Sequence, residues 1–129
     1  MKQKIRRGDI IFVRNPFQVP HGHINAGNRP AVVIQNNTGN ECSENLIVAY
    51  MTSKIKKLHM PTHVLLQWYG GLSMTSMVQT EQLATISAED VIGVIDHLRD
   101  EDTARVNRAL AASLALDGLD YGKGGRSYE

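Results

Sequence analysis

Ala31-Val32-Val33-Ile34-Gln35 and Leu46-Ile47-Val48-Ala49-Tyr50-Met51 are two continuous apolar runs, separated by Asn36-Asn37-Thr38-Gly39-Asn40. Unbroken runs of this kind, rich in β-branched side chains, are the pattern of central strands covered on both faces. The Asn and Gly residues between them tolerate positive φ and predict a turn. The centre of the fold is therefore read as a pair of buried strands.

Upstream, Asp9-Ile10-Ile11-Phe12-Val13-Arg14 suits a strand broken by Asn15-Pro16, and residues 14–30 then show no periodicity. A loop this long in so small a domain is often functional. Downstream, 62–67 and 76–83 are weaker strand candidates separated by Tyr69-Gly70-Gly71. A short helical turn is expected over 87–90, then a strand over 91–98, where Gly93 argues against a long helix. A helix starts near Asp100, with Asp100-Glu101-Asp102 as cap and first-turn acids, Val106, Leu110 and Leu114 on one face, and Gly118 as the stop. The sum is mainly β with a C-terminal helix: a small, strongly bent, mostly antiparallel sheet or half-open barrel. Residues 1–120 form the expected domain, and 121–129, rich in Gly and charge, a flexible tail.

With 129 residues and 42% hydrophobic content, the chain can bury one core but not two. No apolar run approaches the length of a bilayer span, and Met1 to Arg7 lacks the apolar stretch of a signal peptide. Cys42 has no partner for an internal disulfide, so a reducing cytoplasm is the expected location. The net charge of +1 hides an asymmetry: residues 1–63 hold nine Lys/Arg against three acids, and the remainder holds five against ten. A basic half folded onto one face would attract a polyanion.

The generic motifs are weaker. There is no phosphate-binding Gly-rich loop followed by Lys-Ser/Thr, no Gly-x-Ser-x-Gly elbow, no dinucleotide fingerprint and no helical His-Glu-x-x-His. Of the five histidines, His21 and His23 are the better acid–base candidates because they sit in the long loop. Arg29 stands before Pro30 at the entrance to one buried strand, and Thr52-Ser53 at the exit of the next. A fixed guanidinium beside a hydroxyl is suited to gripping a phosphate. Read generically, Arg29 is equally a surface ion pair and Thr52-Ser53 a turn.

Whole segments, in order, resemble the PemK/MazF toxins. Arg6-Arg7-Gly8-Asp9-Ile10 is similar to the family's opening Arg-Gly-Asp-Ile/Val. Residues 28–36, Asn-Arg-Pro-Ala-Val-Val-Ile-Gln-Asn, resemble its Arg-Pro-Val-x-Val-Ile-Gln-Asn signature, continued by Thr38-Gly39-Asn40. Ala49 to Ser53 resembles Ala-x-x-Thr-Ser, Pro61-Thr62-His63-Val64 the Pro-Thr-His-Val stretch, and Glu81 to Ile86 Glu-Gln-Ile-Arg-Thr-Ile. The order and spacing hold from Arg7 to about Leu116.

The resemblance implies an SH3-like small barrel of the PemK/MazF/CcdB toxin type, a homodimer, and sequence-specific cleavage of single-stranded messenger RNA. Attack by the substrate's 2′-hydroxyl would leave a 2′,3′-cyclic phosphate and a 5′-hydroxyl, with no metal and no other cofactor. It also implies a cognate antitoxin with an acidic disordered tail. Carried over by position, Arg29 and Thr52 handle the scissile phosphate with Ser53 beside them, while His21, His23, Asn28, Gln35, Lys54, Lys56, Lys57 and Glu81 are the expected RNA-binding set. His21, His23 and Glu81 are also the candidates for proton acceptor.

Two departures stand out. The family's Glu-Gln-Gly-Gly-type loop is here replaced by residues 20–28, and Ala84 replaces its usual arginine. A non-catalytic module on the same fold is the alternative, either poisoning gyrase by contact as CcdB-type toxins do or only titrating antitoxin. Retained Arg29 and Thr52 favour the ribonuclease.

Overall fold

The computed structural model describes residues 3–14, 28–116 and 118. The two apolar runs form the middle of a six-stranded sheet. In chain order the elements are β1 (Asp9–Val13), β2 (Arg29–Val33), α1 (Asn37–Cys42), β3 (Asn45–Thr52), β4 (His63–Leu66), β5 (Ser76–Ser87), a 3-10 turn (Ala88–Asp90), β6 (Val91–His97) and α2 (Asp100–Leu114). The sheet order is β4-β5-β3-β2-β1-β6, and each neighbouring pair is antiparallel.

Ala31 to Val33 of β2 and Val48 to Met51 of β3 are buried on both faces, as their lack of alternation predicts, while Ile47 near the start of β3 is exposed. Val32, Ala49 and Met51 join Ile10, Val64, Leu66 and Val78 in one core, closed by Val106, Ala109 and Leu110 of α2. The alternate residues Ala31, Val33, Val48 and Tyr50 pack with Ile5, Ile11, Val13, Ile86 and Val91 in a second core. α2 is fastened to the sheet by polar contacts as well. The hydroxyl of Thr80 donates to Ala109 O at 3.2 Å, and that of Ser113 to Thr80 O at 2.9 Å.

Three local expectations change. The Asn-rich segment after β2 is a short helix, not a turn: Asn36 caps it by accepting from Gly39 N–H at 2.7 Å. An Asn side chain that can close a turn can also satisfy the free N–H groups of a first helical turn. α2 has Arg99 at its cap position with no side-chain cap bond, and it stops at Ala115, in the left-handed region at φ 53°, before Gly118 is reached. Asp102 is buried instead of capping; its carboxylate accepts from Tyr69 Oη at 2.7 Å, Arg105 Nη1 at 2.7 Å and Arg99 Nη2 at 3.4 Å.

The barrel is not closed by hydrogen bonds, since the sheet runs from edge strand β4 to edge strand β6. The segment after β4 bridges the two ends. Arg99 donates to Gln67 O and Trp68 O at 2.6 and 3.1 Å, and its guanidinium lies 4.0 Å from the centre of the Tyr69 ring. Burial, followed by the neighbouring Asp102 carboxylate, pushes the Tyr69 phenol up to about 12, so it remains a donor. Further on, Gly71 N–H donates to Asp96 Oδ2 at 3.1 Å. Ile95 is the extra residue of a bulge on β6, between the pairs Ile10–Asp96 and Ile11–Val94. A bulge re-aims its residue, and here the Ile95 carbonyl approaches the α-carbon of Gly71 so closely that a Cβ there would lie 1.9 Å from the oxygen. Among the described residues no helix is long and apolar enough to cross a membrane.

Candidate active site

Arg29 is the first residue of β2 and Thr52 the last of β3. The strands pair with Ala31 opposite Tyr50, and the same register carried two residues further sets Arg29 opposite Thr52. Opposed residues of an antiparallel pair share a face, so the sheet delivers both side chains to one edge. Tyr50 lies one step inward on that face, and the Arg29 guanidinium sits 5.0 Å from its ring centre. Such cation–π support holds the guanidinium without neutralising it. Burial pushes the Tyr50 phenol up against the lowering pull of Arg29, which keeps the supporting ring neutral. Among the described residues Arg29 makes no ion pair.

Thr52 is half-buried, and its Oγ1 accepts from the backbone N–H of Lys54 at 3.1 Å. That bond orients the hydroxyl and leaves its proton to be donated. Arg29, Thr52, Asn28, Ser53 and Lys54 line one side of an open cleft of about 780 Å³. Its remaining lining includes Phe12, Leu72, Ser73, Met74 and Ile95.

A family described as PemK-like, MazF-like toxin of type II toxin–antitoxin system matches residues 6–114. The chain belongs to this family. Endoribonuclease EndoA of Bacillus subtilis (strain 168) is 39% identical over 113 residues, covering 87% of this chain and 96% of the relative. A mycobacterial endoribonuclease solved in complex with its cognate antitoxin superposes with a TM-score of 0.72 at 19% identity, covering 87% of this chain and 96% of that one. MazF from Deinococcus radiodurans gives 0.70 at 19% identity, with coverage of 88% and 98%. At those identities the two structures speak for the fold alone.

Within this toxin fold, the expected site residues divide. Arg29, Thr52, Ser53, Asn28 and Lys54 come together in the cleft. Lys56 and Lys57 are exposed but do not line it. Gln35 acts as a strap, its amide donating to Asn40 Oδ1 and Asn45 O, both at 3.0 Å. Glu81 also stands outside the cleft lining and is held by His63, with Nε2 to Oε2 at 2.8 Å; His63 Nδ1 lies 3.0 Å from Lys57 O. Both ring nitrogens thus lie within hydrogen-bonding distance of an oxygen. Burial raises the Glu81 carboxyl, but hydrogen bonds led by that from His63 outweigh it and leave the group below its ordinary range. His21, His23 and the 121–129 tail lie outside the described residues.

Sequence reasoning missed the rest of the lining, Leu72-Ser73-Met74 with Phe12 and Ile95. Tyr69-Gly70-Gly71 marked the segment only as a separation between two strand candidates. Only the crossing of that connection from β4 to β6 brings it over the ends of β2 and β3.

Proposed function

We propose that this chain, an endoribonuclease toxin of the PemK/MazF type, cuts single-stranded RNA in the cleft between Arg29 and the 72–74 segment. The observation that carries the reading is the pairing of a cation lacking an ion-pair partner among the described residues with an oriented hydroxyl, side by side at adjacent strand ends. In this reading the substrate's 2′-oxygen forms a bond to phosphorus as its proton departs. The bond from phosphorus to the 5′-oxygen breaks, and that oxygen takes up a proton. The products are a 2′,3′-cyclic phosphate and a 5′-hydroxyl. Arg29 would offset the charge that grows on the phosphorane, Thr52 would donate to a non-bridging oxygen, and Ser53 and Lys54 would seat the adjoining backbone. Neither a metal nor another cofactor is required by these roles.

The same surface suits an acidic disordered antitoxin segment, a second polyanion that would compete with RNA. Exposed Ile92 and Val94 on edge strand β6, 48% and 42% accessible, support a homodimer. The cytoplasm, where messenger RNA is met, is the matching location. Incubation with a long RNA in EDTA, followed by mapping of the ends, tests the reading. Wild-type protein is expected to leave cyclic phosphates, and Arg29→Ala to lose at least about a hundredfold in rate while retaining its fold. A folded Arg29→Ala variant that cuts at the wild-type rate would remove Arg29 from the mechanism.

A further inference from the structure

The cleft has two unlike parts. One part of the lining, Arg29, Thr52, Ser53, Lys54 and Asn28, is cationic and hydroxylic; the other offers Phe12 on β1 beside β2, Leu72, Met74 and Ile95, with Ser73 among them. A phosphodiester uses only the first. Met74 is 60% and Phe12 38% accessible, so apolar side chains stand open to solvent beside a charged site. A flat aromatic base can cover such a surface, and the thioether of methionine makes favourable contacts with aromatic rings.

The apolar part is also held still. Tyr69 is fixed by Asp102 and by Arg99 N–H at 2.7 and 2.8 Å, and Gly71 by Asp96 at 3.1 Å and by the Ile95 carbonyl. Ser76 Oγ donates to Met74 O at 3.0 Å and closes the turn. Discrimination between bases requires contacts set within fractions of an ångström on a supported backbone. This segment, although a loop, is tied at Tyr69, Gly71 and Met74 O.

Resting on the ribonuclease reading above, we infer that the Leu72-Ser73-Met74 segment, with Phe12, forms the pocket for one base flanking the scissile phosphate, and that Met74 is a specificity-determining residue. The phosphate on Arg29 and Thr52 sets the register; the base laid against Met74 and Phe12 is read by shape and by the Ser73 hydroxyl. Ser73 and Met74 are exposed, so substituting either leaves the cores intact.

Two measurements test this. Cleavage ends from a random long RNA are mapped for wild type and Met74→Ala, and the base frequencies at each position around the cut are compared. Met74→Ala is expected to relax discrimination at one position next to the cut by about tenfold and to leave the other positions unchanged. Binding is then measured with short RNAs carrying a 2′-deoxy sugar at the cut site, which cannot be cleaved by 2′-oxygen attack, and each of the four bases in the flanking positions. Wild type should rank the four bases and Met74→Ala should rank them less. Wild type that binds and ranks bases but cuts nothing would overturn the ribonuclease reading and keep the pocket. Equal affinities for all four bases, or unchanged frequencies with Met74→Ala, would overturn the pocket while the ribonuclease reading stands on Arg29.

Discussion

Gly71→Ala, compared with Gly70→Ala, isolates the contact that bridges the open ends of the sheet. A Cβ on Gly71 would lie 1.9 Å from Ile95 O and 2.7 Å from Ile95 C, whereas nothing lies within 4 Å of one built on Gly70. Carbon–oxygen contacts settle near about 3.3 Å, so the 69–74 segment must retreat by roughly 1.4 Å. That retreat would stretch the bond from Gly71 N–H to Asp96, already 3.1 Å long, beyond hydrogen-bonding distance. Its loss costs about 1 kcal/mol, and overpacking a close approach adds about 1–3 kcal/mol. The expected destabilisation is on the order of 2–4 kcal/mol, against about 0.5 kcal/mol in either direction for the exposed Gly70→Ala. Urea unfolding at one fixed protein concentration reads the difference as a shift in midpoint with unchanged slope. If Gly71→Ala unfolds at the same midpoint as Gly70→Ala, the bridge contributes no stability and the account of how this open barrel holds its shape is wrong.

Further outcomes concern charge. Asp102→Ala leaves Tyr69 Oη without its acceptor and Arg105 without its carboxylate, while Arg99 keeps Glu101 at 3.6 Å; calorimetry should show a loss of about 2–3 kcal/mol, below the ~3–5 kcal/mol of a fully buried pair because both arginines still reach water. Glu81 sits below its ordinary 4.5 when folded, so its pairing adds stability that is complete above the unfolded value and lost as pH falls through the folded one. Glu81→Gln should therefore flatten the acid limb of a stability–pH curve below the ordinary carboxyl value of 4.5, and an unaltered limb would show the carboxylate to be idle. Lys54 lines the cleft and Lys57 does not, so Lys54→Glu should weaken binding of an uncleavable RNA more than Lys57→Glu. It should also lower the slope of log affinity against log salt by about one or more; equal effects of both variants would point to a diffuse field rather than a seated phosphate.

The sheet was legible because its central strands obey a local rule. The stretches 31–33 and 48–51 are apolar on both faces, and the structure buries them between two cores. What escaped was decided by distant partners. Asp102 has the composition of a cap, yet it is drawn inward because Tyr69, 33 positions earlier, and Arg105 satisfy its carboxylate. Ala115 ends α2 in the left-handed region, a conformation that sequence alone assigns to Gly118. The Asn36 segment was ambiguous for a chemical reason, since one side-chain oxygen serves a turn and a helix cap equally well.

The candidate site divides along the same line. Arg29 and Thr52 were singled out because strand ends and family pattern both point to them, and the antiparallel register brings them to one edge of the sheet. Glu81 could not be placed from sequence, because its partner His63 lies on the neighbouring strand and only the pairing of β4 with β5 joins them. The charge asymmetry was real as composition but too coarse as a map. Lys56 and Lys57 belong to the basic half without lining the cleft, while its uncharged wall, Leu72 to Met74, comes from the acidic half. Net charge can attract a polyanion to the molecule, but the choice among bases must come from contacts that charge does not report. That division of labour is why the residues expected to set affinity were visible in the sequence, and those expected to set specificity became visible only when the fold brought the two halves of the chain to one cleft.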